Sequence, residues 1–225
     1  MFYLGTDFIK GNISFREASN GFDIQRLHIC RRLNKDNIRF YIESNSYLSS
    51  LIPVINEFYD NVKFVYVIRN GKDYVRSFYS KRPSNKDYYA LSDESPRQSF
   101  NSNDFPDDRF FGQWEKMSRF QRVCWNWVKR NQMIEGFLTN DISWKKVRFE
   151  DMFNNGYSGI WEIIDFIDLR NHIKIDNDKL DKVLAKASNI NRKYLLPKKY
   201  EDWPDDKKEN FEDICGEYMK RSGYI

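Results

Sequence analysis

The stretch from Lys63 to Arg82 constrains the fold of this chain more than any other. It begins with five consecutive aromatic or β-branched residues, Phe64–Ile68, which do not alternate with polar ones. Such a run predicts a strand buried on both faces, as in a parallel sheet. Asn70-Gly71 then predicts a turn, and Asn70 can cap a following helix, with Asp73 completing a capping box. The stretch is therefore predicted to form a strand, a turn and a helix.

Groups that suit a phosphate follow the predicted strand. Arg69 stands at its carboxyl end, and Ser77 lies two turns into the predicted helix. Ligands of open α/β sheets bind at this edge, and helix N-termini offer free N–H groups to anions. A guanidinium, N–H groups and a hydroxyl together predict a phosphate site.

A second predicted strand, Ile38–Glu43, precedes this stretch. Apolar residues at helical spacing over 48–59 predict the helix that links the two strands, and Pro53 should kink that helix or delay its regular part. Strand, helix and strand predict a right-handed βαβ unit. Glu43 and Arg69 would then lie at the same edge of the sheet. Glu43 is interpreted either as a structural cap or ion-pair partner of a nearby arginine, or as a catalytic base.

The rest of the chain continues the α/β pattern. Residues 83–110 are rich in Ser, Asn, Asp and Pro, which predicts either a functional lid or a mobile solvated loop. Further apolar patterns predict a helix near Ile24–Cys30, a long helix over Gly112–Phe137, a third strand at Trp144–Phe149 and a C-terminal helix between Pro204 and Gly223.

Composition limits the classes of function. The net charge of +4 permits an anionic ligand but argues against a surface dedicated to nucleic acid. The three cysteines are far apart and show no metal-binding spacing, so we expect free thiols, no metal and a reducing compartment, the cytoplasm. The sequence shows neither a secretory leader nor an apolar run of about 18 residues, so we expect no membrane span.

The central stretch resembles a known segment. Arg69-Asn70-Gly71-Lys72-Asp73, with Ser77 eight positions after the arginine, resembles the 3′-phosphate-binding segment of sulfotransferases that use 3′-phosphoadenosine 5′-phosphosulfate (PAPS). The resemblance covers roughly residues 38–225. Weaker similarities to the same family, in the same order along the chain, occur at Tyr41–Asn45, Val147–Met152 and Trp203–Tyr224. The family fold is an α/β three-layer sandwich with a parallel sheet, like that of P-loop NTPases, and we expect it as a single domain over residues 1–225.

The resemblance implies an activity and its residues. A sulfuryl group would move from PAPS to a hydroxyl or amine of a small-molecule or glycan acceptor, without a metal. Arg69 and Ser77 would hold the 3′-phosphate, and Phe149 would lie near the adenine. Arg192 and Lys193 would close over the same phosphate.

Two residues are candidates for the base that activates the acceptor. Glu43 is the first, because it follows a predicted strand at the ligand-binding edge. His28 is the second, although a single histidine on a helix is more often structural than catalytic.

One family segment is not found. Members open with a loop, typically Lys or Arg followed by Ser-Gly-Thr-Thr, whose N–H groups bind the 5′-phosphosulfate. The nearest match is Leu4-Gly5-Thr6-Asp7, which lacks the cation, so the segment either lies upstream of Met1 or is degenerate. The alternative function is a non-catalytic sulfotransferase-like nucleotide-binding or interaction protein. A P-loop kinase is disfavoured because GxxxxGK followed by Ser or Thr does not occur.

Overall fold

The structure is a computed structural model that describes residues 2–38, 40–80, 100–153, 156–184 and 194–225. The chain divides into two compact units. The first comprises Met1–Val62, Ser84–Met117 and Arg130–Ile142, and the second comprises Lys63–Pro83, Ser118–Lys129 and Ser143–Ile225.

The described residues form α-helices of seven to 21 residues and two strands of five residues each. The α-helices are α1 (Phe2–Ile9), α2 (Phe15–Lys35), α3 (Ile52–Phe58), α4 (Gly71–Tyr79), α5 (Arg119–Phe137), α6 (Ser158–Phe166), α7 (Asn177–Leu184) and α8 (Asp205–Arg221). The strands are β1 (Phe64–Ile68) and β2 (Trp144–Arg148). Short 3₁₀ helices occur at Ser46–Leu51, Ser102–Asp104, Trp114–Lys116, Leu169–Asn171 and Tyr200–Asp202.

Helices build the first unit. Helix α2 begins at a reciprocal capping box, in which the Ser14 hydroxyl accepts from the Glu17 N–H and the Glu17 carboxylate accepts from the Ser14 N–H. Helix α3 begins with Pro53 in its first turn, after a 3₁₀ segment, so the prediction that this proline delays the regular helix is confirmed. The core of the unit includes Ala18, Phe22, Leu51, Ile52 and Val54.

The predicted strand at Ile38–Glu43 is wrong, and so is the βαβ unit built on it. Ile38 and residues 40–43 lie in neither a helix nor a strand. Asn37 adopts a left-handed conformation (φ 49°), and the Ile38 N–H returns to the Leu33 carbonyl at 2.9 Å, closing the end of α2. The start of the segment therefore terminates α2. To form a strand, it would instead need a neighbouring strand with which to hydrogen-bond.

The second unit contains the sheet. Strands β1 and β2 pair in parallel, in a register that runs from Phe64 opposite Trp144 to Ile68 opposite Arg148. Both strands occupy their predicted positions. Burial of β1 on both faces is not observed, because Tyr66 and Ile68 are buried while Val67 between them is 41% exposed. The strand is thus half-buried, with alternating burial at its carboxyl end.

Helices α5 and α8 begin and end at local signals. Helix α5 starts later than the predicted Gly112, because Ser118 and Gln121 form a capping box at 2.8 and 3.3 Å just before it. Helix α8 follows Pro204 and ends at Gly223 (φ 73°), as predicted. In the described residues, no helix is both long enough and apolar enough to cross a membrane.

Candidate functional site

Two hydrogen bonds hold Asn70 in the turn after β1, one made by its side chain and one by its backbone N–H. The Asn70 side chain accepts from the Lys72 N–H at 2.9 Å, which is the predicted N-cap of α4. The predicted capping box with Asp73 is not formed. Instead, the Asn70 N–H donates to Glu150 Oε1 at 2.9 Å, so the reciprocal partner comes from the residues after β2.

Close packing on α5 and α8 fixes the same turn. The Trp127 indole N–H donates to the Arg69 carbonyl at 3.1 Å. A Cβ atom added to Gly71 would lie 2.9 Å from Met219 Sδ and 3.0 Å from the Trp127 ring. The φ of Gly71 is not in the left-handed region, so a side chain at position 71 is disfavoured by crowding against Met219 and Trp127 and not by backbone conformation.

The Arg69 side chain lies against an aromatic ring, and no described carboxylate forms an ion pair with it. Its guanidinium carbon is 5.0 Å from the centroid of the Phe149 ring, and that ring is 36% exposed. The Arg69 Nε atom is buried and has no hydrogen-bond partner in the described part of the chain. A buried N–H donor without a partner is costly, so this position is suited to an anion that would accept from it.

Of the other three predicted phosphate ligands, Ser77 belongs to the described residues. Ser77 is half-buried in α4, and no hydrogen bond joins it to Arg69 among the described residues. Arg192 and Lys193 lie outside the described residues. Of the predicted phosphate and adenine ligands, the structure therefore brings together Arg69 and Phe149.

Glu43 is held by two neighbours in the first unit. Arg26 Nη2 lies 2.7 Å from Glu43 Oε1, and the Tyr41 hydroxyl donates to Glu43 Oε2 at 3.1 Å. Partial burial, followed by the hydrogen bond to Glu43, raises the pKa of Tyr41. The ion pair with an arginine, one of the two interpretations of Glu43, is thus present, although Glu43 does not follow a strand of the sheet. His28, the second candidate base, is exposed on α2.

Two further segments of interest are residues 83–110, predicted as a lid or a solvated loop, and Leu4–Asp7, the nearest match to the loop that binds the 5′-phosphosulfate. Most of residues 83–110 lie outside the described residues, but Phe100, Asn101 and Ser102 are buried, so this end is not a solvated loop. Leu4–Asp7, the nearest match to the 5′ loop, lies within α1 and is helical. Its backbone therefore does not form a phosphate-binding loop, since such loops need N–H groups that are free to bind an anion.

Two contributors to the turn were missed from the sequence. Glu150 and Tyr224 contact each other, with the Tyr224 hydroxyl 3.2 Å from Glu150 Oε2 and 3.2 Å from the Ile68 carbonyl. Burial, and then the negative charge of Glu150, raise the pKa of Tyr224. The available signal was Glu150 itself, an acidic residue directly after the predicted strand Trp144–Phe149, at the same sheet edge as Arg69.

Comparison with known families decides the classification. Among the described residues, no group of three or more His, Cys, Asp or Glu side chains could hold a metal. A family model described as "Sulfotransferase domain" matches residues 47–223. The chain belongs to the sulfotransferase family. A search of curated proteins and a search of solved structures find no match.

Family membership confirms the predicted fold class and supports sulfuryl transfer in general. The fold is the P-loop-like α/β fold, with which the parallel pair and its helices agree. The family is one of sulfuryl-transferring enzymes, whose members typically use PAPS. The matched range contains Arg69, Ser77, Phe149 and Glu150, so the turn described above belongs to the sulfotransferase domain.

Proposed function

We propose that this family member transfers a sulfuryl group from PAPS to a hydroxyl or amine of a small-molecule or glycan acceptor. The observation that carries the proposal is the Arg69 side chain, whose buried Nε lacks a partner in the described residues. It lies beside the capped start of α4, where backbone N–H groups also favour negative charge. A 3′-phosphate would supply the missing acceptor.

The residues present fit the phosphate and base of such a donor. Arg69 would hold the 3′-phosphate through charge-assisted hydrogen bonds, and Ser77 would add a neutral one. The Phe149 ring, which is 36% exposed, would lie near the adenine ring. Arg192 and Lys193 are the proposed additional cations. PAPS supplies the activated sulfuryl group, and the protein contributes chiefly by positioning the reactants.

Glu43 is the proposed base for the acceptor. A carboxylate has about four lone-pair sites, and Arg26 and Tyr41 occupy one on each oxygen. The remaining sites can accept a proton from an acceptor hydroxyl while the two contacts keep the carboxylate oriented. His28 is the second candidate.

The surroundings of the reaction are also part of the proposal. We propose that no metal takes part and that nucleic acid is not a partner, since the net charge is only +4. Free Cys30, Cys124 and Cys215 favour a reducing compartment, which we propose to be the cytoplasm.

A non-catalytic nucleotide-binding protein is the second candidate. The helical conformation of Leu4–Asp7 favours it, because this segment cannot act as the loop that binds the 5′-phosphosulfate. Release of adenosine 3′,5′-bisphosphate from PAPS in the presence of a phenol, an alcohol and an amino sugar separates the two. Release supports the enzyme, whereas binding without release supports the second candidate.

The experiment that tests the proposal is calorimetric titration of adenosine 3′,5′-bisphosphate. Arg69→Ala should weaken binding about tenfold to a hundredfold, since hydrogen bonds to charged groups contribute about 1.5–3 kcal/mol. Arg170→Ala is the matched control, because Arg170 also stacks on an aromatic ring, at 4.6 Å from Trp161, in the same unit. Equal affinity in wild type and Arg69→Ala would show that Arg69 does not bind the phosphate.

A further inference from the structure

We propose that Glu150 and Tyr224 are positioning residues that hold the turn Arg69–Gly71 in its anion-binding conformation. The inference rests on the proposed function, because it assigns them a role in nucleotide affinity through Arg69. In the described part of the chain, neither residue forms a hydrogen bond or an ion pair with the Arg69 side chain. They act on the backbone that carries it.

The first step is the contact between Glu150 and the turn. Glu150 Oε1 accepts from the Asn70 N–H at 2.9 Å, and the two residues are 80 positions apart in the chain. The adjacent Phe149 lies against the Arg69 guanidinium. Two consecutive residues after β2 therefore contact the turn in different ways. Phe149 contacts the side chain of Arg69, and Glu150 binds the backbone N–H of the next residue, Asn70.

The second step is the contact between Tyr224 and Glu150. The phenol lies 3.2 Å from Glu150 Oε2 and 3.2 Å from the Ile68 carbonyl, so it bridges the carboxylate and the end of β1. With Oε1 on Asn70 and Oε2 near Tyr224, both oxygens of Glu150 have a donor. A carboxylate so held keeps a defined orientation, and its charge is partly compensated beside a site for an anion.

The third step is what places Tyr224. After the last residue of α8, Arg221, Gly223 turns the chain at φ 73°, and the Tyr224 N–H returns to the Met219 carbonyl at 3.0 Å. Arg148, the last residue of β2, donates from Nη2 to the Gly223 carbonyl at 2.8 Å. Its guanidinium also lies 5.0 Å from the centroid of the Tyr224 ring. The end of α8 is therefore fixed against the end of β2.

These contacts have a consequence for binding. A turn that already has its bound conformation loses less conformational entropy when a ligand binds. Removing the Glu150 carboxylate would leave the Asn70 N–H without this partner, and removing the Tyr224 hydroxyl would take its donor away from Glu150 Oε2. Both changes should weaken nucleotide binding without touching the ligand.

The test is calorimetry with adenosine 3′,5′-bisphosphate on the full chain. Tyr224→Phe keeps the ring under Arg148 and removes only the hydroxyl. Glu150→Ala removes both acceptors, and Glu150→Gln keeps an acceptor for Asn70. Tyr200→Phe is the matched control, because it removes a hydroxyl that donates to a glutamate, Glu212, at 2.6 Å in the same unit and keeps the ring whose centroid lies 3.9 Å from Lys72 Nζ.

The expected order of affinities follows from these contacts. Loss of one hydrogen bond of this kind corresponds to about a threefold to tenfold weaker affinity for Tyr224→Phe, and about tenfold or more for Glu150→Ala. Glu150→Gln should recover most of the loss, and Tyr200→Phe should bind like wild type. A merely structural role would instead lower the melting temperature in Tyr224→Phe and Tyr200→Phe alike and leave both affinities unchanged, which would overturn the proposal.

The outcomes also separate this inference from the proposed function. If Arg69→Ala loses affinity while Glu150→Ala and Tyr224→Phe keep it, only the positioning role fails. If wild type and Arg69→Ala bind alike, the phosphate site fails and the positioning role falls with it. Hydrogen exchange of the Asn70 amide without ligand is an independent check: it should be faster in Glu150→Ala than in wild type, and an unchanged rate would contradict the role of Glu150.

Discussion

Gly71, in the turn after β1, is packed closely against side chains of α5 and α8. Its Cα faces the sulfur of Met219 and the ring of Trp127, and the same Trp127 donates to the Arg69 carbonyl. A side chain at position 71 would therefore press on the group that holds the backbone of Arg69. The requirement comes from α5 and α8, so it cannot be read from the turn sequence alone.

Gly71→Ala should destabilise the protein by about 1–3 kcal/mol, the usual cost of overpacking a filled site. Urea unfolding would measure the change in the free energy of unfolding. Gly136→Ala is the control, because Gly136 also lies in a helix but an added Cβ would meet nothing within 4 Å. That variant should be neutral or more stable by about 0.5–1 kcal/mol. Equal losses in both variants would refute the packing argument.

Helix α4 is held by neighbouring groups at both ends. At its start, the Asn70 side chain accepts from the Lys72 N–H. At its end, the Arg119 guanidinium donates to the carbonyls of Tyr79 at 2.6 Å and Phe78 at 3.3 Å. These contacts satisfy backbone groups that a helix leaves unpaired, and the cation also suits the negative end of the helix dipole.

Asn70→Ala should lower the free energy of unfolding by about 1 kcal/mol, because the N-cap acceptor is lost. Asn70→Ser keeps a capping oxygen and should stay within a few tenths of a kcal/mol of wild type. Denaturant titration of both variants measures the difference. A serine variant as unstable as the alanine variant would show that the cap is not what stabilises this end of α4.

Sequence patterns predicted the structural features that depend on residues close together in the chain. The apolar run of β1, the N-cap at Asn70 and the stop at Gly223 are all local signals, and all three were confirmed. The segment Ile38–Glu43 has a similar apolar content but ends α2 through the Ile38 N–H. Whether such a segment becomes a strand depends on a partner, which its own residues do not specify.

The candidate site was predictable to a similar extent. Arg69 and Phe149 were identified from motif positions, and the structure brings them together. The partner of the Asn70 N–H was predicted to be Asp73, three residues away, but it is Glu150. Contacts between residues so distant in the chain depend on the sheet register, which a single sequence does not supply.

At the scale of the whole molecule, three half-buried tyrosines connect stability to alkaline pH. Burial is the largest cause that raises the pKa of Tyr59, Tyr200 and Tyr224, and the next causes are hydrogen bonds or charges from Cys30, Glu212 and Glu150 respectively. In the unfolded chain these phenols ionise at about pH 10. The folded protein keeps them protonated at higher pH.

The stabilising effect of the three phenols should be complete below about pH 10 and be lost as pH rises further, because the unfolded state then releases protons that the folded state retains. Unfolding free energies measured between about pH 8 and pH 11 test this sign. The Tyr59→Phe, Tyr200→Phe and Tyr224→Phe variants should each show a shallower alkaline decline than wild type. Parallel curves for wild type and all three variants would contradict the linkage.

The claim that Arg69 binds a 3′-phosphate is tested most directly by comparing two ligands that differ in that group alone. Calorimetry would give the affinities of wild type and Arg69→Ala for adenosine 3′,5′-bisphosphate and for adenosine 5′-monophosphate. Wild type should prefer the bisphosphate by about tenfold to a hundredfold, and Arg69→Ala should bind the two ligands almost equally. An Arg69→Ala variant that keeps the wild-type preference would contradict the assignment of this site.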